Sequence, residues 1–257
     1  MKKKLIAAAA LLAVLLCLCA CGGNSAYDEY KQAYKMLQQA ESFAATHHEV
    51  FRIFDSETGE TIDGELTMEN QAVKTDAGYD GISETVVSGS DNYSGDVYYR
   101  DGRKYSVTHD PVAAEDFRVS QACEPDYAFT IATQSVFALK RGVIASQSAE
   151  DTEQGRRLTF VLDPEKLYDR SFARFYSGVY DSFREPPVYT VLLDEEGRLK
   201  QVLFSYYLLG PEDEPGYLQS DVEVYFLSWD DIELQFPELN EEDYPDMSDP
   251  AGQGNGG

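Results

Sequence analysis

From Glu49 to Thr108 the chain alternates apolar and polar residues with a period of two, and turn residues cut the alternation into short runs. A half-buried strand has this period and a helix does not, so the region is constrained to fold as hairpins. Val50–Phe54 and Thr61–Met68 flank Thr58-Gly59. Pairing across a two-residue turn there sets Phe51 opposite Leu66 and Arg52 opposite Glu65, an apolar pair and an opposite-charge pair in one register. Asp101-Gly102 is a type I′ signal that sets Tyr98 opposite Tyr105, and Val73–Thr75 and Ile82–Val87 read as strands between the two hairpins. Further strands are expected at Val143–Ser146, Arg157–Leu162, Val188–Asp194 and Leu199–Leu209. The turn at Glu196-Gly197 pairs Glu195 with Arg198, Val191 with Val202 and Tyr189 with Phe204. Val222–Ser228 and a short Ile232–Phe236 end the series.

Three helices interrupt the strands. Ser25 caps the first, with Asp28 three residues on, and Tyr27, Tyr30, Ala33, Tyr34, Leu37, Ala40 and Phe43 recur at helical spacing. Pro125 opens the second, with Ala128, Ile131, Ala132, Val136 and Leu139 on one face, Lys140 and Arg141 in its last turn and Gly142 ending it. Asp163-Pro164 starts the third, whose stripe is Tyr168, Phe172, Phe175, Val179 and Phe183 and whose stop is Pro186-Pro187. Strands in runs joined by hairpins give an α+β fold: a mostly antiparallel sheet of about nine to eleven strands, an N-terminal helix and two inserted helices.

The N-terminus carries a second constraint. Lys2, Lys3 and Lys4 precede an apolar run from Leu5 to about Leu18, then Leu18-Cys19-Ala20-Cys21-Gly22. This is the layout of an export signal, and its apolar run falls short of the roughly 20 residues of a membrane span. Leu18-Cys19-Ala20-Cys21 resembles a lipobox, which implies cleavage before Cys21 and a diacylglyceryl group on that cysteine, with or without a third chain on its amine; two chains anchor stably. The other reading is an ordinary signal peptide cut nearby that leaves a free thiol. With Cys17 and Cys19 in the signal and Cys21 lipidated, Cys123 has no disulfide partner, so the core holds the fold alone. The organisation expected is 1–20 signal peptide, 21–26 lipidated tether, 27–237 one domain and 238–257 acidic disordered tail.

Loss of the three lysines moves the formal charge from −25 to −28. Such a balance argues against nucleic acid, which needs a basic footprint, and makes the body repel anionic headgroups. No Lys or Arg follows Lys200, and fourteen acids do, the last of them running into Pro250-Ala251-Gly252-Gln253-Gly254-Asn255-Gly256-Gly257, with almost nothing apolar to bury.

The order of elements resembles the LolA/LppX-like lipoprotein-carrier superfamily. The resemblance is carried by the helix Tyr27–Phe43, the hairpin Tyr98-Tyr99-Arg100-Asp101-Gly102-Arg103-Lys104-Tyr105, the run Leu158–Pro164 and the strand-turn-strand Tyr189–Leu199. It implies a strongly curved antiparallel half-barrel closed by helices, no catalytic residues, and an acyl chain or other apolar ligand bound between sheet and helices.

Catalytic motifs are absent from the sequence. His47-His48-Glu49 lacks the second histidine of a zinc-protease helix, and adjacent histidines at a strand start are expected to be solvated. His109 with Asp110 reads the same way; Cys123 reads as a lone buried thiol, and Asp230, Asp231 and Glu233 lack the spacing of a calcium loop. No enzyme activity, cofactor or metal site is expected. The leading expectation is a membrane-anchored extracytoplasmic lipoprotein that binds an apolar or amphiphilic ligand; the alternative is a protein-interaction module, an envelope sensor or accessory subunit. Tyr189, Val191, Leu193, Val202, Phe204 and Tyr206 share one face of the late hairpin and are the expected cavity wall. Lys166, Arg170 and Arg174 recur every four residues beside Phe172 and Phe175, the expected contact with anionic headgroups unless they pair with acids in the fold.

Overall fold

The computed structural model describes residues 25–56, 58–89, 92–109, 115–136, 138–167, 182–211 and 216–247. The expected export signal with Cys21, and Arg170, Phe172, Arg174 and Phe175, lie outside them. Helix α1 (Ala26–Gln39) starts as its sequence demands: the Asp28 backbone N–H donates to Ser25 Oγ, and the Ser25 hydroxyl donates back to the Asp28 carboxylate at 2.6 Å. Its buried stripe is Ala26, Tyr30, Ala33 and Leu37.

The rest is one sheet of twelve strands: β1 (Ser42–Asp55), β2 (Glu60–Thr75), β3 (Gly78–Ser88), β4 (Tyr93–Arg100), β5 (Arg103–His109), β6 (Phe117–Ala122), β7 (Ile144–Thr152), β8 (Gly155–Leu162), β9 (Ser182–Phe183), β10 (Val188–Leu193), β11 (Leu199–Leu209) and β12 (Tyr217–Trp229). The order is β6-β5-β4-β3-β2-β1-β12-β11-β10-β8-β7, with β9 added beside β11. Every ladder between these strands is antiparallel, and β6 and β7 end the order, so the sheet is open. Between its halves run a six-residue helix α2 (Tyr127–Ala132) and, after β8, the single described turn α3 (Pro164–Leu167).

The late hairpin pairs Tyr189 with Phe204 and Val191 with Val202 as its alternation dictates. Its turn is longer than two residues: the Asp194 N–H donates to the Arg198 carbonyl, Gly197 takes a φ of +79°, and the register shifts so that Leu193 meets Leu199. Arg198 therefore pairs with the Asp194 carboxylate at 2.8 Å, and Glu195 stays in the loop. At Asp101-Gly102 both turn residues have φ above +50° and Tyr98 faces Tyr105, the expected type I′ hairpin.

Other expectations are corrected. In the first hairpin Asp55 faces Glu60 across a four-residue loop, so Phe51 faces Gly64 and Arg52 faces Asp63, to which it is bonded at 2.6 Å. The slip is two residues, an even number, and so leaves every side chain on its expected face. Thr61–Met68 and Val73–Thr75 form one continuous strand, β2, and with β6 and β9, neither of them expected, the strand count reaches twelve. Phe43 belongs to β1, not to the first helix. The second helix stops at Ala132; Val136 and Leu139 are buried from non-helical chain, and Arg141–Val143 is a 3-10 turn instead of a helix end. Ile232–Phe236 forms no strand. The expected free tail is docked as far as Met247: Tyr244 is buried against Tyr105, Asp246 pairs with Arg103 at 2.8 Å, and Ser120 N–H donates to the Pro245 carbonyl.

Candidate functional site

Alternation assigns each strand one inner face, the side on which α1 and α2 lie. On β8, β10, β11 and β12 that face carries Leu158, Phe160, Leu162, Tyr189, Val191, Leu193, Val202, Phe204, Tyr206, Leu208, Leu218, Val222, Val224 and Phe226, all buried in the main core. Tyr30 of α1 presses edge-on against Phe160 and Tyr189, at ring separations of 5.7 and 5.8 Å, and the Tyr30 and Tyr189 hydroxyls lie 3.1 Å apart. Burial pushes the Tyr30 phenol well above its ordinary pKa, so it stays a neutral hydrogen-bonding group. The six side chains expected to line a cavity thus share the inner face and are packed into this core.

The neighbouring strand β1 breaks the apolar pattern. Its inner row is Phe43, Ala45, His47, Glu49, Phe51 and Ile53. His47, expected in solvent, is only 3% exposed. The Ser135 hydroxyl lies 3.2 Å from its Nδ1, and Glu49 Oε2 lies 3.5 Å from its Nε2, an electrostatic contact too long to count as a full hydrogen bond. Glu49 Oε1 accepts from the Ser220 hydroxyl at 2.5 Å and from the Tyr206 hydroxyl at 3.4 Å. Burial pushes the Glu49 carboxyl up, but the nearby His47 ring and the hydrogen bonds from the hydroxyls of Ser220 and Tyr206 outweigh it, holding the pKa below its ordinary value. Tyr206 reaches Glu49 across the intervening strand β12.

Asn70, inner-facing on β2, completes this polar group. It is 2% exposed, and neither its Nδ2 nor its Oδ1 meets a hydrogen-bond partner. Leaving a buried amide group unpaired costs about 1–3 kcal/mol, so the position works against stability. The chain from α2 to Val136 lies across the group: Tyr127 contacts Tyr99 on β4, Gln134 reaches the Met68 sulfur, and the Ser135 carbonyl accepts from Tyr189 on β10. Beyond this strap the inner face opens. Phe51, Ile62, Leu66, Val87 and Val97 are half-buried there, and the Phe51 ring lies so close over Gly64 that a Cβ at Gly64 would sit 2.2 Å from it. The clefts of the opposite face differ. One of about 320 Å³ is bounded by Glu150, Arg157, Thr159, Thr190, Gln201 and Leu203, and is too polar to hold an apolar molecule.

The sequence held a signal for His47 and Glu49. Starting the period of two at Phe43 rather than Glu49 puts both on the row of Phe43, Ala45 and Phe51; reading Phe43 as helical hid it. Of the basic stripe only Lys166 is described, and its Nζ is held by the Asp163 carboxylate at 2.5 Å. Cys123 is a half-buried free thiol whose pKa is raised by burial. Asp230 accepts from the Glu41 N–H, which gives that carboxylate a structural task. Among the described residues no cluster of His, Cys, Asp and Glu is placed to hold a metal, and no helix is long and apolar enough to cross a membrane.

Neither a family model nor a curated protein matches this chain. Solved structures resemble it distantly. A DUF1329 family protein from Desulfovibrio piger is 12% identical with a TM-score of 0.33, covering 82% of this chain and 93% of that one. A putative outer membrane lipoprotein-sorting protein domain from Vibrio parahaemolyticus is 8% identical with a TM-score of 0.26, over 82% of this chain and 94% of that one. A β-barrel-like protein of the DUF1849 domain from Brucella abortus is 9% identical with a TM-score of 0.23, over 74% of this chain and 100% of that one. Identity this low and superposition this loose attach no activity to the chain.

Proposed function

We propose that the protein is a lipid-anchored extracytoplasmic binding protein that holds an amphiphilic ligand on the inner face of its sheet. The observation that carries this is the half-buried apolar row Phe51, Ile62, Leu66, Val87 and Val97 running into the polar group of buried His47 and Asn70 and half-buried Glu49. An apolar wall with a few convergent polar groups at one end is the chemistry of a site for a molecule with a tail and a head. The tail lies along the row, and the head enters beneath the strap 127–136. Anchoring follows from the lipobox: acylated Cys21 keeps the domain at the membrane where such amphiphiles are found.

Native mass spectrometry of the protein purified from its own host tests the ligand. A co-purified mass that is lost in Leu66→Glu supports the reading. A wild-type protein that carries no added mass and binds no amphiphile overturns it, in favour of a protein partner. Acyl labelling tests the anchor separately: Cys21→Ser abolishes labelling and releases the protein from membranes, and persistent labelling overturns the assignment.

A further inference from the structure

In the polar group His47 leaves its Nε2 without a hydrogen bond, with Glu49 Oε2 3.5 Å away, and Asn70 leaves both ends of its carboxamide unanswered. Glu49 has Ser220, Tyr206 and His47 beside it, and His47 has Ser135. Asn70 has neither a donor for its Oδ1 nor an acceptor for its Nδ2, although it is almost wholly buried. Folded proteins rarely leave a carboxamide in this state, because water would otherwise satisfy both ends. Its cross-strand neighbours are Ala45 on β1 and Ser83 on β3, and the next pair along is Ala72 and Gly81. All four are small, whereas on the other side Asn70 is flanked by the larger Met68 and His47.

We propose that Asn70 reads the head of the ligand, its Nδ2 donating to and its Oδ1 accepting from an uncharged amide on an acyl chain. A carboxamide offers one donor and one acceptor side by side, and a second amide is the partner that satisfies both. An ionised head satisfies the carboxamide only in part: a carboxylate accepts from Nδ2 but offers no donor to Oδ1, and the acidic Glu49 stands on the same face. This inference rests on the inner face being the ligand site.

The test uses the full chain carrying Cys21→Ser, with N-phenyl-1-naphthylamine as fluorescent reporter and two competitors of equal chain length, dodecanamide and dodecanoate, at about pH 8, where the acid is ionised. Dodecanamide is expected to displace the reporter at a concentration about tenfold lower than dodecanoate, as a site built to pair both groups of an amide discriminates against a head that offers no donor. Asn70→Leu is expected to keep reporter binding and to bring the two competitors within about twofold of each other. Its melting temperature should equal or exceed that of the parent, because the apolar side chain removes an unpaired buried amide. If no form binds the reporter, the ligand-site reading fails and this inference falls with it. If the reporter binds but the amide has no advantage, or Asn70→Leu keeps the advantage, only the role of Asn70 is overturned. A melting temperature several degrees lower in Asn70→Leu would show the carboxamide to be part of the protein's own bonding, and would also overturn it.

Discussion

The two halves of the sheet spend their inner faces differently. On β8, β10 and β11 that face carries Leu158, Phe160, Tyr189, Val191, Val202 and Phe204, none more than 1% exposed. On β3, β4 and β5 it carries buried Gly81, Ser83 and Tyr99, then half-buried Thr85, Val87, Gly95, Val97, Lys104, Ser106 and Thr108, and exposed Tyr93. A fourteen-residue helix covers the first set, whereas α2, with six residues, crosses only part of the second. Apolar burial is the dominant stabilising term, so the β7–β12 half holds the fold. The other half mixes small and hydroxyl-bearing residues with half-buried Leu66, Val87 and Val97, and so buries less apolar surface. A single sheet thus joins a packed core to a less covered surface, and β1 is the seam between them.

The largest expected effect breaks or upholds this division directly. Phe160 is fully buried beneath Tyr30, so Phe160→Ala should cost about 3–5 kcal/mol in urea unfolding. Val97→Ala, on the half-buried row, should cost about 1 kcal/mol or less. Similar losses at both positions would mean that the halves share the stability equally.

A smaller effect concerns the outer side of the open half, where the C-terminal segment supplies a second small core. Tyr244 packs edge-on against Tyr105 at 5.4 Å, with Val107 beneath and Tyr98 and Leu239 alongside. Tyr244→Ala should cost about 1–3 kcal/mol and speed amide exchange in β5 and β6 while leaving β10 and β11 protected. Exchange that rises uniformly over the whole sheet would show that the two halves open as one unit.

The same division decides what could be read from the sequence. Hairpins were legible where a turn demanded a left-handed residue, as at Asp101-Gly102, or where both strands carried large apolar residues, as in Tyr189–Phe204 and Val191–Val202. The first hairpin has no such anchor. Ser56 to Gly59 fit a loop of two or four residues equally well, and only Arg52–Asp63 and the ring of Phe51 over Gly64 fix the longer one. The second helix was over-extended because Val136 and Leu139 are buried at helical spacing, while the Ser135–His47 contact, which local periodicity cannot contain, draws the chain across the sheet. Composition likewise concealed the docking of Tyr244, one aromatic among many acids. Asn70 gave no signal at all: it stands at an ordinary alternating position, and only its burial without a partner sets it apart.

The smallest expected effect is a pH dependence confined to the open half. All three histidines lie on β1 and β5. His109, at the end of β5, has Asp116 Oδ1 2.9 Å from its Nδ1 and Asp96 Oδ2 3.2 Å from its Nε2. Around the pair stand Arg118, 3.7 Å from Asp116, and Tyr98, whose hydroxyl donates to Asp96 and whose pKa is pushed up to about 12 by burial and by that carboxylate. Hydrogen bonds to Asp116 and then Asp96 raise the His109 pKa against a smaller opposing effect of burial, and the bond to His109 lowers that of Asp116. A histidine whose pKa is raised by folding contributes fully below its unfolded value of about 6.5, and loses that contribution as pH rises through the folded value. The lowered Asp116 contributes fully above its unfolded value of about 3.9, and loses it as pH falls through the folded value. The cluster should therefore stabilise most between about pH 4 and 6.5 and weaken above. Because the ring is more than one-third exposed, screening keeps the effect small, about 1–2 °C in melting temperature between pH 6 and pH 8. His109→Gln should remove that slope, and amide exchange should place the pH-dependent loss at β4–β6. A slope that survives His109→Gln, or one that appears equally in β10 and β11, would assign the pH dependence to the packed half and contradict the division.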